Sequence, residues 1–214
     1  MEMTGIVPIQ NDERILYLSE DVENESISDI CQQILKINEI DRKGVEKFRQ
    51  YAINPIQLHI QSFGGSVYDM WALIDIIEAS NTPIITYCSG YCMSAAALIF
   101  LAGHVRCMYK HAVLMFHQMN VYNYGRYRDI EIEQKQMEKL HKRMIKYLKS
   151  KADFPEEFFE KFDDGKQDIY LTAKKCRKLG VCDSIVETSD LRPTLLEQLA
   201  NSEECEEFEE CEEE

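Results

Sequence analysis

The segment TPIITYCSGYCMSAAALIFLAG, residues 82–103, divides into three parts. Its opening, TPIITYC, is rich in β-branched and aromatic residues and predicts a strand. The middle is a short turn. SAAALIFLAG then has the small and aliphatic content of a packed helix and a glycine, Gly103, at its end. The preceding segment, PIQLHIQSFGGSVYDMWALIDIIEAS at residues 55–80, repeats the plan: a buried strand, the turn FGGS, and a helix with apolar residues at helical spacing. Two strand–turn–helix units in succession predict an α/β fold built from βαβ units, with right-handed crossovers and a mainly parallel sheet.

Working outward, RILYL (14–18) predicts a first strand. ENESISDICQQILKI (23–37) predicts a helix, with Ile27, Ile30, Ile34 and Leu35 at helical spacing after polar starters. DRKGVEKFRQYAIN (41–54) is charged and irregular and reads as an insertion before the next strand. Beyond residue 103, HVRCMYK and AVLMFHQ predict two more strands. The longest helix follows over 127–151, its stripe formed by Ile130, Met137, Leu140, Met144 and Leu148. That stripe fits either the helix's own domain or a neighbouring subunit. Pro155 opens a further helix in its first turn. IYL is then a strand, Thr172 an N-cap for AKKCRKLG, and VCDSIVE the closing strand.

The length of 214 residues with 45% hydrophobic content suits one domain. The formal charge of −14 is uneven, because nine glutamates lie in NSEECEEFEECEEE, residues 201–214, and removing them leaves −5. An acidic surface repels phosphate backbones and anionic lipid, so neither nucleic acid nor membrane is an expected partner. The Glu run itself reads as a solvated, disordered tail. With no secretory signal and no apolar run able to span a bilayer, a cytoplasmic location is expected. Cys31, Cys88, Cys92, Cys107, Cys176 and Cys182 are scattered through apolar segments without Cys-x-x-Cys spacing, and are expected to be buried thiols. Cys205 and Cys211 lie in the tail, and no metal site is expected.

A nucleophilic hydroxyl needs a base within reach, a group to orient that base, and donors for the developing oxyanion. Ser94 falls where a strand gives way to a helix, beside the Ala95 N–H and the positive end of the helix dipole. The bland reading is an N-cap, and the stretch by itself favours it. Gly64 and Gly65, in the other strand–helix turn, let the backbone approach a neighbour closely and serve either as oxyanion donors or as an ordinary βα turn. Among five histidines, His59 lies within a strand, His104 beside a helix end, His111 before a strand and His141 on the long helix. His117 ends an apolar strand, the usual delivery point for functional groups in α/β folds, although a lone histidine at a strand end is more often structural. For an orienting carboxylate, spacing does not choose among Asp163, Asp164, Asp168 and Asp183.

Five ordered segments together resemble the proteolytic subunit of the Clp protease family: IQSFGGSVYDMWALIDII, GYCMSAAALIFLAG, HAVLMFHQ, GRYRDIEIEQKQMEKL and QDIYLTAKKCRKLGVCDSIV. The resemblance implies a crotonase-like fold of repeated ββα units with a protruding handle helix at about 128–152. It divides the chain into an axial N-terminal segment (1–13), a peptidase domain (14–189) and the acidic tail (190–214). It implies a catalytic triad of Ser94 as nucleophile, His117 as general base and Asp168 as orienting acid, with the Gly65 and Ala95 N–H groups as the oxyanion hole. No cofactor would sit in this chain, ATP being spent by a partner ATPase. The implied partners are further copies in a ring homo-oligomer, a double heptamer; a AAA+ unfoldase; and peptide or unfolded protein as substrate. The alternatives are a non-catalytic assembly subunit of the same fold and a crotonase-like acyl-CoA enzyme. The sequence also departs from the family pattern, with Phe63 in place of a proline, bulky Tyr91, Cys92 and Met93 before the serine, and Lys166-Gln167 in place of Asp-Arg.

Overall fold

A computed structural model describes residues 11–121 and 124–187; the acidic tail and the first ten residues lie outside this range. Seven strands form one mixed sheet: β1 (Ile15–Leu18), β2 (Ile56–Ser62), β3 (Ile84–Met93), β4 (Val105–Tyr109), β5 (Val113–Phe116), β6 (Ile169–Thr172) and β7 (Ser184–Val186). Strands β1-β2-β3-β4-β7 run parallel in that order. β5 pairs with the far end of β3, and β6 adds antiparallel to β5. Six helices connect them: α1 (Asn24–Lys47), α2 (Val67–Ala79), α3 (Ala95–Ala102), α4 (Tyr127–Lys151), α5 (Glu156–Asp164) and α6 (Ala173–Lys178).

The expected insertion at 41–54 is corrected: α1 continues through it to Lys47. The buried stripe Ile27, Ile30, Ile34 and Ile37 extends on the same face to Asp41 and Gly44. Hydrophobic periodicity misses those two because neither is apolar. Asp41 accepts both guanidinium nitrogens of the buried Arg14, the Thr82 hydroxyl and the Tyr51 hydroxyl. Gly44 leaves room for the Tyr51 ring, which a Cβ would strike. The polar network thus joins the ends of α1, β1 and β3; the terminal guanidinium nitrogens of Arg14 are hydrogen-bonded, Nη1 also to the Asn54 carbonyl, while its buried Nε has no partner.

The second correction lies in β3. The strand does not end at Cys88 but runs to Met93 through a bulge at Gly90, which takes a φ of 87°. Up to Cys88 it pairs with β4; from Tyr91 onward it pairs with β5. This change of partner brings the end of β5 beside the end of β3. All eight residues of α3 are buried, as a helix apolar all round requires.

The stripe on α4 is split. Leu140, Met144, Tyr147 and Leu148 are buried against the domain, with Tyr147 meeting Trp71 edge-on at 5.3 Å and donating to the Leu98 carbonyl. Toward the N-terminus, Tyr127 and Ile132 are exposed and Ile130 and Met137 only partly covered. Behind β5, Phe116 packs on Phe154 and Phe158, which anchors α5. Pro155 is the N-cap of α5 rather than its first-turn residue, so its missing N–H costs the helix nothing. No helix among the described residues is long and apolar enough to cross a membrane.

Candidate active site

Ser94 is the single non-glycine residue with a positive φ among the described residues, at φ 53° and ψ −123°. Such a conformation costs on the order of 1–3 kcal/mol and persists only where the surroundings impose it. Here they do. The Ser94 N–H donates to the Met115 carbonyl of β5 at 2.8 Å, and the Ser94 carbonyl accepts from Ala97 at 3.0 Å as α3 begins. The side chain makes no capping bond. Ser94 therefore occupies the N-cap position without doing a cap's work, and its hydroxyl is left free.

The Gly-Gly turn closes over this serine. A Cβ on Gly64 would lie 2.6 Å from the Met93 carbonyl and 2.9 Å from the Ala95 nitrogen, so only glycine permits the approach. Val22, in the loop after β1, donates to the Gly64 carbonyl at 2.8 Å and accepts from the Ser66 N–H at 2.7 Å. That bridge passes over the Gly65 N–H. Like the Ala95 N–H at the start of α3, it has no acceptor among the described residues. Two free N–H groups therefore come from segments in contact, one beside the serine and one on the glycine turn above it.

His117 is the first residue past β5, two beyond the Met115 to which Ser94 is bonded. Ser94, Ala95, Gly64, Gly65 and His117 line one cavity of about 340 Å³, together with Asp21 and Phe63. The other histidines are placed differently. His59 stacks between Tyr17 and Tyr87, and burial lowers its pKa; His104 Nδ1 accepts from the Ile84 N–H; His111 is exposed; His141 bonds to Asp163.

The four aspartates separate in the same way. Asp163 accepts from His141, Asp164 pairs with Lys166, and Asp183 takes Arg106 through both carboxylate oxygens. Asp168 has no such partner among the described residues. The β5–β6 ladder ends at the pair Phe116–Ile169, so His117 follows its last residue on β5 and Asp168 precedes its first residue on β6. No hydrogen bond joins Ser94 to His117 or His117 to Asp168 in this single chain.

Cys92, two residues before Ser94, is no rival nucleophile. It is fully buried, its thiol faces the Ile60 carbonyl at 3.5 Å, and burial pushes its pKa well above the ordinary value, so the thiolate is suppressed. All six cysteines of the described residues are free and buried. Among those residues no group of three or more His, Cys, Asp or Glu side chains is arranged to hold a metal.

Two features of the cavity go beyond the sequence reading, which marks Phe63 and Tyr91 as departures from the family pattern but not their contact. Phe63 and Tyr91 face one another at 4.5 Å between ring centroids, forming an aromatic wall at its edge. Asp21 and Met144 reach it from a loop and from α4, remote in sequence from the serine and carrying no local signal.

A family model described as Clp protease matches residues 3–189. The chain is 27% identical over 177 residues to the ATP-dependent Clp protease proteolytic subunit of Bacteroides thetaiotaomicron, covering 81% of this chain and 74% of that protein. It is 30% identical over 178 residues to the ATP-dependent Clp protease proteolytic subunit 2 of Prochlorococcus marinus, covering 81% of each. With the corresponding subunit of Deinococcus radiodurans the identity is 25% over 177 residues, covering 82% of this chain and 81% of that protein.

Proposed function

Because the chain belongs to the Clp protease family, we propose that it is a serine endopeptidase whose nucleophile is Ser94, whose general base is His117 and whose orienting acid is Asp168. The observation that carries this reading is Ser94 itself, held at φ 53° with an unbonded hydroxyl, in one cavity with His117 and two N–H groups that lack acceptors. In the reaction, His117 accepts the Ser94 proton as Oγ attacks the peptide carbonyl, and the oxyanion forms against Gly65 and Ala95. His117 then protonates the leaving amine. Water, deprotonated by the same imidazole, releases the acyl group from Ser94.

Asp168 has a defined part in this scheme. A carboxylate opposite His117 holds the imidazole in the tautomer that leaves its other nitrogen free for the serine, and stabilises the imidazolium as it forms. The donors add to this: losing one of two oxyanion N–H groups costs about 10²–10³ in rate in comparable sites.

The relatives' names describe a proteolytic subunit of an ATP-dependent protease. By that kinship the chain works as a ring homo-oligomer enclosing its sites, fed with unfolded protein by a AAA+ ATPase. The exposed N-terminal half of α4, with Tyr127 and Ile132, is the surface it offers for contact between rings.

Labelling the purified particle with an active-site serine phosphonate tests the reading. Wild type is expected to take one label per chain and Ser94→Ala none. Absence of label on the assembled wild type would refute the proposal.

A further inference from the structure

Asp168 sits on an arm with little to hold it. α5 stops at Gly165, in the left-handed conformation at φ 65°, and three residues later Asp168 stands immediately before β6. The Lys166–Asp164 ion pair is local to the turn. The arm's tertiary hydrogen bonds converge instead on Asp163. His141 Nε2 donates to the Asp163 carboxylate at 2.8 Å, and Gln118 Nε2 donates to the Asp163 carbonyl at 3.1 Å. Gln118 directly follows His117 in the chain.

The geometry around these two bonds is restricted. The His141 ring lies parallel to Phe162, at 4° and 5.6 Å, with its side chain 16% exposed, and its buried Nδ1 has no partner. Its single hydrogen bond is the one to Asp163. At Gly165, whose φ of 65° favours glycine, an added Cβ would meet the Gln118 side-chain oxygen, the flexible end of that residue.

We propose that His141, Asp163 and Gln118 are positioning residues for the reaction: they form a clasp that ties the Asp168 arm to α4 on one side and to the residue after His117 on the other. This sets the carboxylate against the imidazole. The inference rests on the peptidase reading and adds to it residues that touch no reacting atom. Since Asp163 is 68% exposed, its pairing with His141 contributes little to global stability. A displacement of about 1 Å at a catalytic group, by contrast, costs about 100-fold in rate. Loss of turnover without loss of stability is therefore the signature that separates a clasp from an ordinary surface pair.

The test uses the full chain in its assembled form. His141→Leu is expected to lower kcat on a fluorogenic peptide by roughly 10- to 100-fold with KM within about twofold. Phosphonate labelling of Ser94 should slow by the same factor at unchanged Tm. His141→Gln, which restores a donor of similar reach, should recover most of the rate. Asp163→Ala, a change at an exposed position that leaves the core untouched, should reproduce the loss. Wild-type kcat in His141→Leu or Asp163→Ala, or equal damage from His141→Gln and His141→Leu, overturns the clasp. If the wild type itself takes no phosphonate, the peptidase reading fails separately. The clasp is then judged by amide exchange over residues 164–170: faster exchange in His141→Leu upholds it, and unchanged exchange overturns it.

Discussion

The two halves of the candidate site are built on different principles. The nucleophile half is over-determined. Ser94 is clamped by a bond to β5, by the start of a wholly buried helix and by a glycine turn so close that a Cβ added at Gly64 would strike the Ser94 Cβ. The acid half is lightly held, with an exposed Asp168 one step past the end of a short ladder and a turn fixed through one neighbouring residue. Strain can be stored only where packing is dense enough to resist relaxation, so the positive φ belongs to the first half. Adjustment belongs to the second.

The largest test of this contrast is chemical. Ser94→Ala and His117→Ala should each lower peptide kcat by about four to six orders of magnitude, measured by fluorogenic cleavage, since such residues act as a unit. Asp168→Asn should cost less, about two to four orders of magnitude, because it orients the base and takes no proton itself. An Asp168→Asn enzyme as inactive as Ser94→Ala would mean that the acid arm is no softer than the nucleophile turn.

The next two predictions concern stability. Asp41→Ala leaves the Arg14 guanidinium buried and unpaired, so it should destabilise the fold by roughly 3–5 kcal/mol in urea unfolding. Burial raises the Asp41 pKa, but the hydrogen bonds from Arg14, Thr82 and Tyr51 outweigh it and hold the carboxyl below its ordinary value. A depressed folded pKa contributes stability that is fully present above the unfolded value of about 4 and is lost as pH falls through the lower, folded one. Wild type should therefore weaken below about pH 4, and Asp41→Asn should lack that part of the slope. Gly64→Ala places a Cβ against the Met93 carbonyl at a φ of 99° and should cost about 2 kcal/mol or more. An equal cost at Gly165, whose neighbour is the end of a flexible glutamine, would erase the difference between the halves.

The smallest effect is expected at the cavity edge. Phe63→Ala removes half of the wall shared with Tyr91 and should raise KM for peptides with large apolar side chains by a few-fold, about 1 kcal/mol, with kcat little changed.

The same contrast explains what was legible in the sequence. Ser94 and Gly64-Gly65 stand in strand–turn–helix segments whose local pattern marks the turns, but that pattern by itself favours a plain cap, and only the ordered family resemblance singles the residues out. The α/β class follows from the repetition of that pattern. The far end of α1 did not show, because its buried positions are Asp41 and Gly44, and a salt-bridged aspartate looks like surface in a hydropathy pattern. The course of β3 through Gly90 did not show either, since a bulge with a change of partner is a tertiary event. Spacing leaves four aspartates equivalent, and it is the family resemblance, carried by the segment QDIYLTAKKCRKLGVCDSIV, that singles out Asp168. His141 gave no signal at all, because its role depends on a residue 22 positions away on another helix.

Trp71, the single tryptophan of the chain, stands on α2 with its ring edge-on to Tyr147 and the Arg143 guanidinium 5.7 Å over its face, both from α4. Its indole N–H is buried without a partner. Alongside eleven tyrosines, the molecule thus carries one indole fluorophore, at the seam between α2 and the root of α4. Emission wavelength and quenching report the seating of that helix directly, and assembly or substrate entry can be followed in unlabelled protein by watching a single residue.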